Sequence, residues 1–221
     1  MDDAAAERGC IRWGLPGHKK AISGRFCARS DMPETKSNDD VVIVEYDPRW
    51  PAAYQAEAAL IAQTLGHNHI EMHHVGSTAV PGLSAKPTID ILVAVAHFAP
   101  VEEYDCRLAP IGYQHGSHEN DAVRLFFRKG AAHSHHLHIV EHGSWEHCRH
   151  LLFRDYLRTH PETAQEYERL KRRLADQFGE DRATYTASKA DFIFSVIAAA
   201  AQEHSVNPEG FGGCPGSEGL E

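Results

Sequence analysis

Two neighbouring runs of this chain pair a phosphate cradle with a metal carboxylate. In His74-Val75-Gly76-Ser77-Thr78 a Gly-Ser step follows an apolar strand, and Asp90 stands thirteen residues after Ser77, within Lys86-Pro87-Thr88-Ile89-Asp90-Ile91-Leu92-Val93. Such a step leaves backbone N–H groups uncovered at the start of a turn, where they can hold phosphate. A carboxylate on the next strand can hold a divalent cation beside that phosphate. The two together are the minimal kit for nucleotidyl transfer. A second metal carboxylate would be expected two residues after Asp90, and that position is Leu92. Lys86, before Pro87, either anchors a phosphate or merely caps the strand. Alone, Gly76-Ser77 is only a turn; Asp90 and Lys86 give it meaning.

Strand alternation brings further residues to Asp90. Over 88–96, Ile89, Ile91, Val93 and Val95 share a core face, with Asp90 and Leu92 opposite. Over 122–128, Val123, Leu125 and Phe127 face one way and Arg124, Phe126 and Arg128 the other. Over 135–141, Leu137 and Ile139 face the core and His136 and His138 do not. If these strands are neighbours, Asp90, Arg124, Arg128, His136 and His138 converge on one side of one sheet. An Asp on an apolar strand is costly to bury without a partner, which favours a functional role. The arginines either serve the site or reach solvent.

Seven of the 17 histidines fall between His133 and His150. His136 and His138, two apart on a strand, suit a metal or an acid–base pair; His133, His142, His147 and His150 read as ordinary solvated positions. No HExxH or similar spacing is present, so a structural zinc site is not expected. Tyr185 and Lys189, four apart, share one helical face and either hold a phosphate or flank a core helix. Arg154-Asp155 reads as an internal salt bridge.

These residues need a scaffold. The chain has 221 residues, 42% hydrophobic and 24% charged, enough for one sizeable soluble domain. A net charge of −9 argues against extended nucleic-acid binding but leaves room for a small anion in a local basic pocket. No apolar run approaches the ~20 residues of a membrane span. The five cysteines include no CxxC pair and fit free thiols in a reducing, cytoplasmic setting. Residues 1–40 lack periodicity and read as a disordered extension, and 203–221, rich in Gly and Pro, as a flexible tail. Between them, 41–202 form one domain. Strands are expected over 41–46, 69–75, 88–96, 112–116, 122–128 and 135–141. Asp47-Pro48 should cap a helix that Gly66 stops. Further helices are expected over 101–108, 144–158, 161–178 and 182–202. The fold class is α+β or α/β: a mixed sheet of about five strands flanked by helices, with a helical C-terminal part.

The run from His74 to Leu83, then Ala85-Lys86-Pro87 and Ile89-Asp90-Ile91-Leu92-Val93, closely resembles the GrpB-like family, whose members are similar to the nucleotidyltransferase fold superfamily that includes polymerase beta. The likeness continues through Phe126-Phe127-Arg128-Lys129-Gly130, His135-His136-Leu137-His138-Ile139-Val140-Glu141, Phe153-Arg154-Asp155-Tyr156-Leu157-Arg158 and Lys189-Ala190-Asp191-Phe192-Ile193, and covers 41–200. In that superfamily the Gly-Ser turn binds triphosphate and paired Asp residues hold two metal ions. Gly76 and Ser77 match the turn and Asp90 the first Asp; Leu92 stands at the second, where the GrpB-like pattern usually has an apolar residue. His136 or His138 is the candidate for the third.

The expected function is a nucleotidyltransferase-type enzyme. Phosphates would lie on Gly76-Ser77, helped by Lys86, Arg124, Arg128 and Lys189. Asp90, His136 and His138 would provide the metal ligands and the catalytic groups. The cofactor is a divalent ion, Mg or a transition metal such as Mn or Zn; one Asp with two His suits one transition ion better than two Mg. The partner is a small molecule such as a nucleotide. Two alternatives share the site: other metal-dependent chemistry on a small acid (hydrolysis, cyclisation or rearrangement), or a non-catalytic nucleotide-binding accessory module, since related domains occur fused to a coenzyme A-pathway kinase.

Overall fold

A computed structural model of the chain describes residues 41–116, 121–130 and 133–206. The expected extension over 1–40 and most of the expected tail lie outside the described residues. Five strands form one mixed sheet: β1 (Glu71–Val75), β2 (Ile89–Val95), β3 (Tyr113–His115), β4 (Leu125–Lys129) and β5 (His135–Glu141), in the order β1-β2-β5-β4-β3. Only β2 and β5 pair in parallel; the other neighbours are antiparallel. The helices are α1 (Trp50–Leu65), α2 (Val101–Leu108), α3 (Trp145–Thr159), α4 (Pro161–Phe178), α5 (Arg182–Ala187) and α6 (Ala190–Glu203). The mixed five-stranded sheet flanked by helices is the expected architecture. Among the described residues no helix is long and apolar enough to cross a membrane.

Period-two alternation builds the main core. Ile89, Ile91 and Val93 of β2, Leu137 and Ile139 of β5 and Phe127 of β4 pack on Trp50, Ile61 and Leu65 of α1 and Tyr104 and Leu108 of α2. The opposite face is only partly covered. Leu151 of α3 closes Val75, Leu92 and Val140, while α3, α4 and α6 meet in a cluster that includes Phe153, Leu157, Tyr167, Val196 and Ile197. Asp90 is the one residue of β2 that is not fully buried.

Four local expectations need correction. Residues 41–46 form no strand: Val44 makes a single bridge to Ala85. The facing segment carries Pro81, Gly82 and Pro87, and prolines cannot donate to a longer ladder. Helix α1 starts at Trp50, not directly after Asp47-Pro48; Asp47 caps the preceding turn, its Oδ1 accepting from the Arg49 N–H at 2.9 Å. The helix expected over 182–202 is two, broken at Ser188–Lys189. The break lets Tyr185 and Lys189 face a cavity while Val196, Ile197, Ala200 and Ala201 are buried. Finally, the free-thiol reading fails at buried Cys148, which is disulfide-bonded.

Leu92 is fully buried. A carboxylate at this position would meet apolar neighbours rather than an ion. Leu92→Asp should therefore lower stability by at least about 3 kcal/mol instead of completing a metal site. Urea melts followed by circular dichroism test this; a stably folded Leu92→Asp would contradict it.

Candidate functional site

Strand register places the site. Val75 pairs with Asp90, Asp90 with His136 and His136 with Arg128, making one row across four strands. The next row runs Leu92, His138, Phe126. The convergence expected from alternation is thus present. These side chains open into a cavity of about 730 Å³, roofed by residues of α4 and α5. Ser77, Lys86, Asp90, Arg124, Arg128, His136, His138 and Lys189 all line it. Gly76 stands behind the carboxylate instead. Its φ is +71°, and a Cβ there would overlap Asp90 Oδ2 and lie 3.0 Å from Cγ. Only glycine fits, both in conformation and in space.

Asp90 anchors a polar relay. Its Oδ1 accepts from His136 Nδ1 at 2.9 Å and lies 3.8 Å from His138 Nε2. His136 Nε2 is met by Arg182 Nη2 at 3.0 Å. A guanidinium only donates, so Nε2 accepts and the proton sits on Nδ1, facing Asp90. Burial alone would push the Asp90 carboxyl up, but His136 and His138 outweigh it and hold it well below the usual carboxylate range. Burial pushes His138 down against the pull of Asp90, and its Nδ1 is buried without a hydrogen-bond partner.

The Gly76-Ser77 turn is held from several sides. Ser77–Ala79 form one turn of 3-10 helix. The Thr78 hydroxyl donates to Thr88 O at 3.2 Å, so it accepts from His74 Nε2 at 3.0 Å. His74 stacks on Tyr54 with ring centroids 4.9 Å apart, and burial drives it down to about 4. From α3, Arg154 donates to His74 O at 3.2 Å, and Arg158 donates twice to Ala79 O, at 3.0 and 2.8 Å. Arg154 also pairs with Asp155 at 2.7 Å, the structural role expected of that pair.

Among the described residues six cations line the cavity (Lys86, Arg124, Arg128, Lys171, Arg182 and Lys189), against Asp90 as the single carboxylate. The Arg128 and Arg124 guanidinium carbons lie 5.2 and 5.9 Å from the Phe126 ring centre, and their Nε atoms are buried without hydrogen-bond partners. Lys189 Nζ sits 4.2 Å from the Tyr185 ring centre, so these two side chains do point together. Burial lowers Lys189 to about 8, and burial with the nearby Lys189 charge lowers Lys171 to about 7.

Sequence reading missed Lys171 and Arg182. Lys171 had a signal: it continues the apolar spacing Ala164, Tyr167, Leu174 on α4, and is 2% exposed. A lysine in a core register is a buried charge that needs a reason. Arg182 opens α5 and carries no periodic signal. His147, read as solvated, is buried.

The model of the family described as GrpB protein matches residues 40–199. The chain belongs to the GrpB family. It is 37% identical over 154 residues to UPF0157 protein YqkA of Bacillus subtilis, covering 69% of this chain but 45% of that protein. It is 34% identical over 165 residues to the glutamate-rich protein GrpB of Alkalihalophilus pseudofirmus, covering 72% of this chain and 94% of that one. A crystal structure of the conserved protein GrpB from Enterococcus faecalis superposes with a TM-score of 0.69 at 34% identity, covering 74% of this chain and 99% of that one.

Two outcomes follow. Gly76→Ala should cost roughly 2–4 kcal/mol, since it combines a forbidden backbone angle with the overlap on Asp90; thermal melts check it. His74 binds a proton less readily in the fold than its ordinary value of 6.5 allows. The unfolded chain therefore holds more protons between pH 6.5 and 4, and stability falls as pH drops through that window. His74→Gln should flatten this acid limb in urea melts at pH 4–7.

Proposed function

We propose that the chain is a nucleotidyltransferase-type enzyme that binds a phosphorylated small molecule, such as a nucleotide, in the Asp90 cavity. The observation that carries this is the six-to-one excess of cationic over carboxylate side chains among the described residues around that cavity. Such a field selects a polyanion, and arginine forks match phosphate oxygens. Phosphate would lie between the Ser77–Thr78 turn and the arginines flanking Phe126.

Asp90 and His138, whose Nε2 lies 3.8 Å from Asp90 Oδ1, would hold one divalent ion, with His136 beside them; a one-carboxylate donor set suits a single transition metal. When bound, such an ion polarises a phosphoryl oxygen. His136 has a separate task. A phosphate that takes over the Arg182 guanidinium frees His136 Nε2 to accept a proton, with Asp90 holding the ring from Nδ1.

A second reading, non-nucleotidyl chemistry on a small phosphorylated acid, is favoured by one observation. Leu92 leaves the site without a second carboxylate to hold a second ion.

A thermal-shift screen with nucleoside triphosphates and Mg, Mn or Zn, alone and together, separates the readings. Under the first, nucleotide and metal together raise the melting temperature more than either alone, and Asp90→Asn loses the joint effect. Under the second, small phosphorylated acids shift it and triphosphates do not. Affinity should also fall as pH rises from 6 to 9, because Lys171 near 7 and Lys189 near 8 lose the charge that an anion needs. Binding calorimetry in two buffers should show proton uptake at pH 8; uptake unchanged in Lys171→Met and Lys189→Met would refute this assignment.

A further inference from the structure

The face of the sheet that carries Asp90 has a second polar end. On β1, Glu71, His73 and Val75 share one face by alternation, with Glu71 paired to Ala94 and His73 to Leu92. Ala94 lies four residues beyond Asp90, about 13 Å along the strand. Between the two ends sits the apolar plug of Val75, Leu92, Val140 and Leu151. The far end is therefore not part of the Asp90 cavity.

Two more histidines arrive there from other elements. His142 lies in the connection after β5, and His147 in the first turn of α3. His147 Nε2 lies 2.9 Å and His142 Nε2 3.3 Å from Glu71 Oε1. His73 Nε2 lies 3.1 Å from Glu71 Oε2 but is buried and makes no hydrogen bond. Among the described residues, Glu71, His73 and His147 are the group of metal-ligating side chains whose donor atoms all fall within 4.8 Å of one another.

We propose that Glu71, His73 and His147, joined by His142, bind one transition-metal ion of the zinc class at a site separate from the Asp90 cavity. Donors around a tetrahedral ion with bonds of 2.0–2.1 Å stand about 3.4 Å apart; here each imidazole nitrogen stands 2.9–3.3 Å from a Glu71 oxygen, the donor atoms of Glu71, His73 and His147 lie within 4.8 Å of one another, and His142 reaches the group through Glu71. The donor set fits as well: three imidazoles and one carboxylate select zinc, copper or nickel over magnesium or calcium. An ion also accounts for a buried His73 nitrogen aimed past a hydrogen bond.

The proton balance is definite at His147. Its Nδ1 accepts from the Gly143 N–H at 3.2 Å, so its proton sits on Nε2. Coordination through Nε2 moves that proton to Nδ1, which then donates and no longer accepts from the Gly143 N–H, so the contact to Gly143 opens. The ion would tie β1 to the start of α3. β1 runs into the Gly76-Ser77 turn, and α3 carries the arginines that hold that turn. Occupancy would thus stiffen the cradle from the far end of the sheet, whatever chemistry occurs at Asp90.

The test uses untagged, chelator-treated full-length protein titrated with zinc against a competing indicator, and with cobalt followed by visible absorption. The expected result, beside any ion held at Asp90, is a site that survives Asp90→Asn and is weakened at least about tenfold by Glu71→Gln and by His142→Ala. Cobalt should give the intense absorption of a tetrahedral ion, and the Gly143 amide resonance should move on zinc addition. The Gly143 shift in the wild-type protein, which an ion at Asp90 does not produce, decides the matter even if a variant fails to fold. Zinc binding lost in Asp90→Asn but kept in Glu71→Gln would overturn the proposal. So would an octahedral cobalt spectrum, or a Gly143 resonance that does not move.

Discussion

The hydrogen bond from His136 to Asp90 is the interaction on which the rest of the site depends. Asp90 lies on β2, a strand otherwise buried throughout, and a lone carboxylate at that depth would be strongly disfavoured. The parallel pairing of β2 with β5 places His136 directly opposite, and the 2.9 Å contact makes the ionised form acceptable. Several features then follow as consequences. The turn residue behind Asp90 must be glycine, because the carboxylate occupies the space of a Cβ. His136 must present its other nitrogen outward, where Arg182 meets it. The position two residues further along β2 is pressed under α3, so it must be apolar.

The cavity and the cradle are built by different halves of the molecule. The sheet supplies Asp90, the histidines and the arginines around Phe126. The C-terminal helices supply Lys171, Arg182 and Lys189 from the other wall. Lys171 Nζ donates to Ser84 O at 2.5 Å and lies 4.7 Å from the Tyr167 ring centre, so its charge is solvated by the protein rather than by water. This is an expensive arrangement for a merely structural lysine, and a natural one for a site that holds anions. The overall charge of −9 gives no hint of it, because the basic residues are concentrated by folding and not by sequence.

Much of the architecture was legible in the sequence because its signals are local. The alternation of Ile89, Ile91 and Val93 around Asp90, and of Leu137 and Ile139 around His136 and His138, settles which face each residue takes. Gly66 ends α1 as expected, with φ +63°, and Ser144 caps α3, accepting from the His147 N–H at 3.2 Å. The misreadings lie where a neighbour decides the outcome. Residues 41–46 look like a strand, but they make a single β-bridge, from Val44 to Ala85 in a proline-bearing segment. The helix after Asp181 breaks because its two parts answer to different surfaces.

The sequence by itself determined the elements, their buried faces and the pairing of a Gly-Ser turn with one carboxylate, since these follow from periodicity and from the backbone needs of single residues. Tertiary structure alone decided the strand register, and with it that Asp90 meets His136 and that Leu92 lies under α3. It also brought Lys171 and Arg182 to the cavity, and gathered Glu71, His73, His142 and His147 from two strands' ends and a helix start. No spacing rule along the chain encodes such meetings, because they depend on which elements pack together and how far each slides along its neighbour.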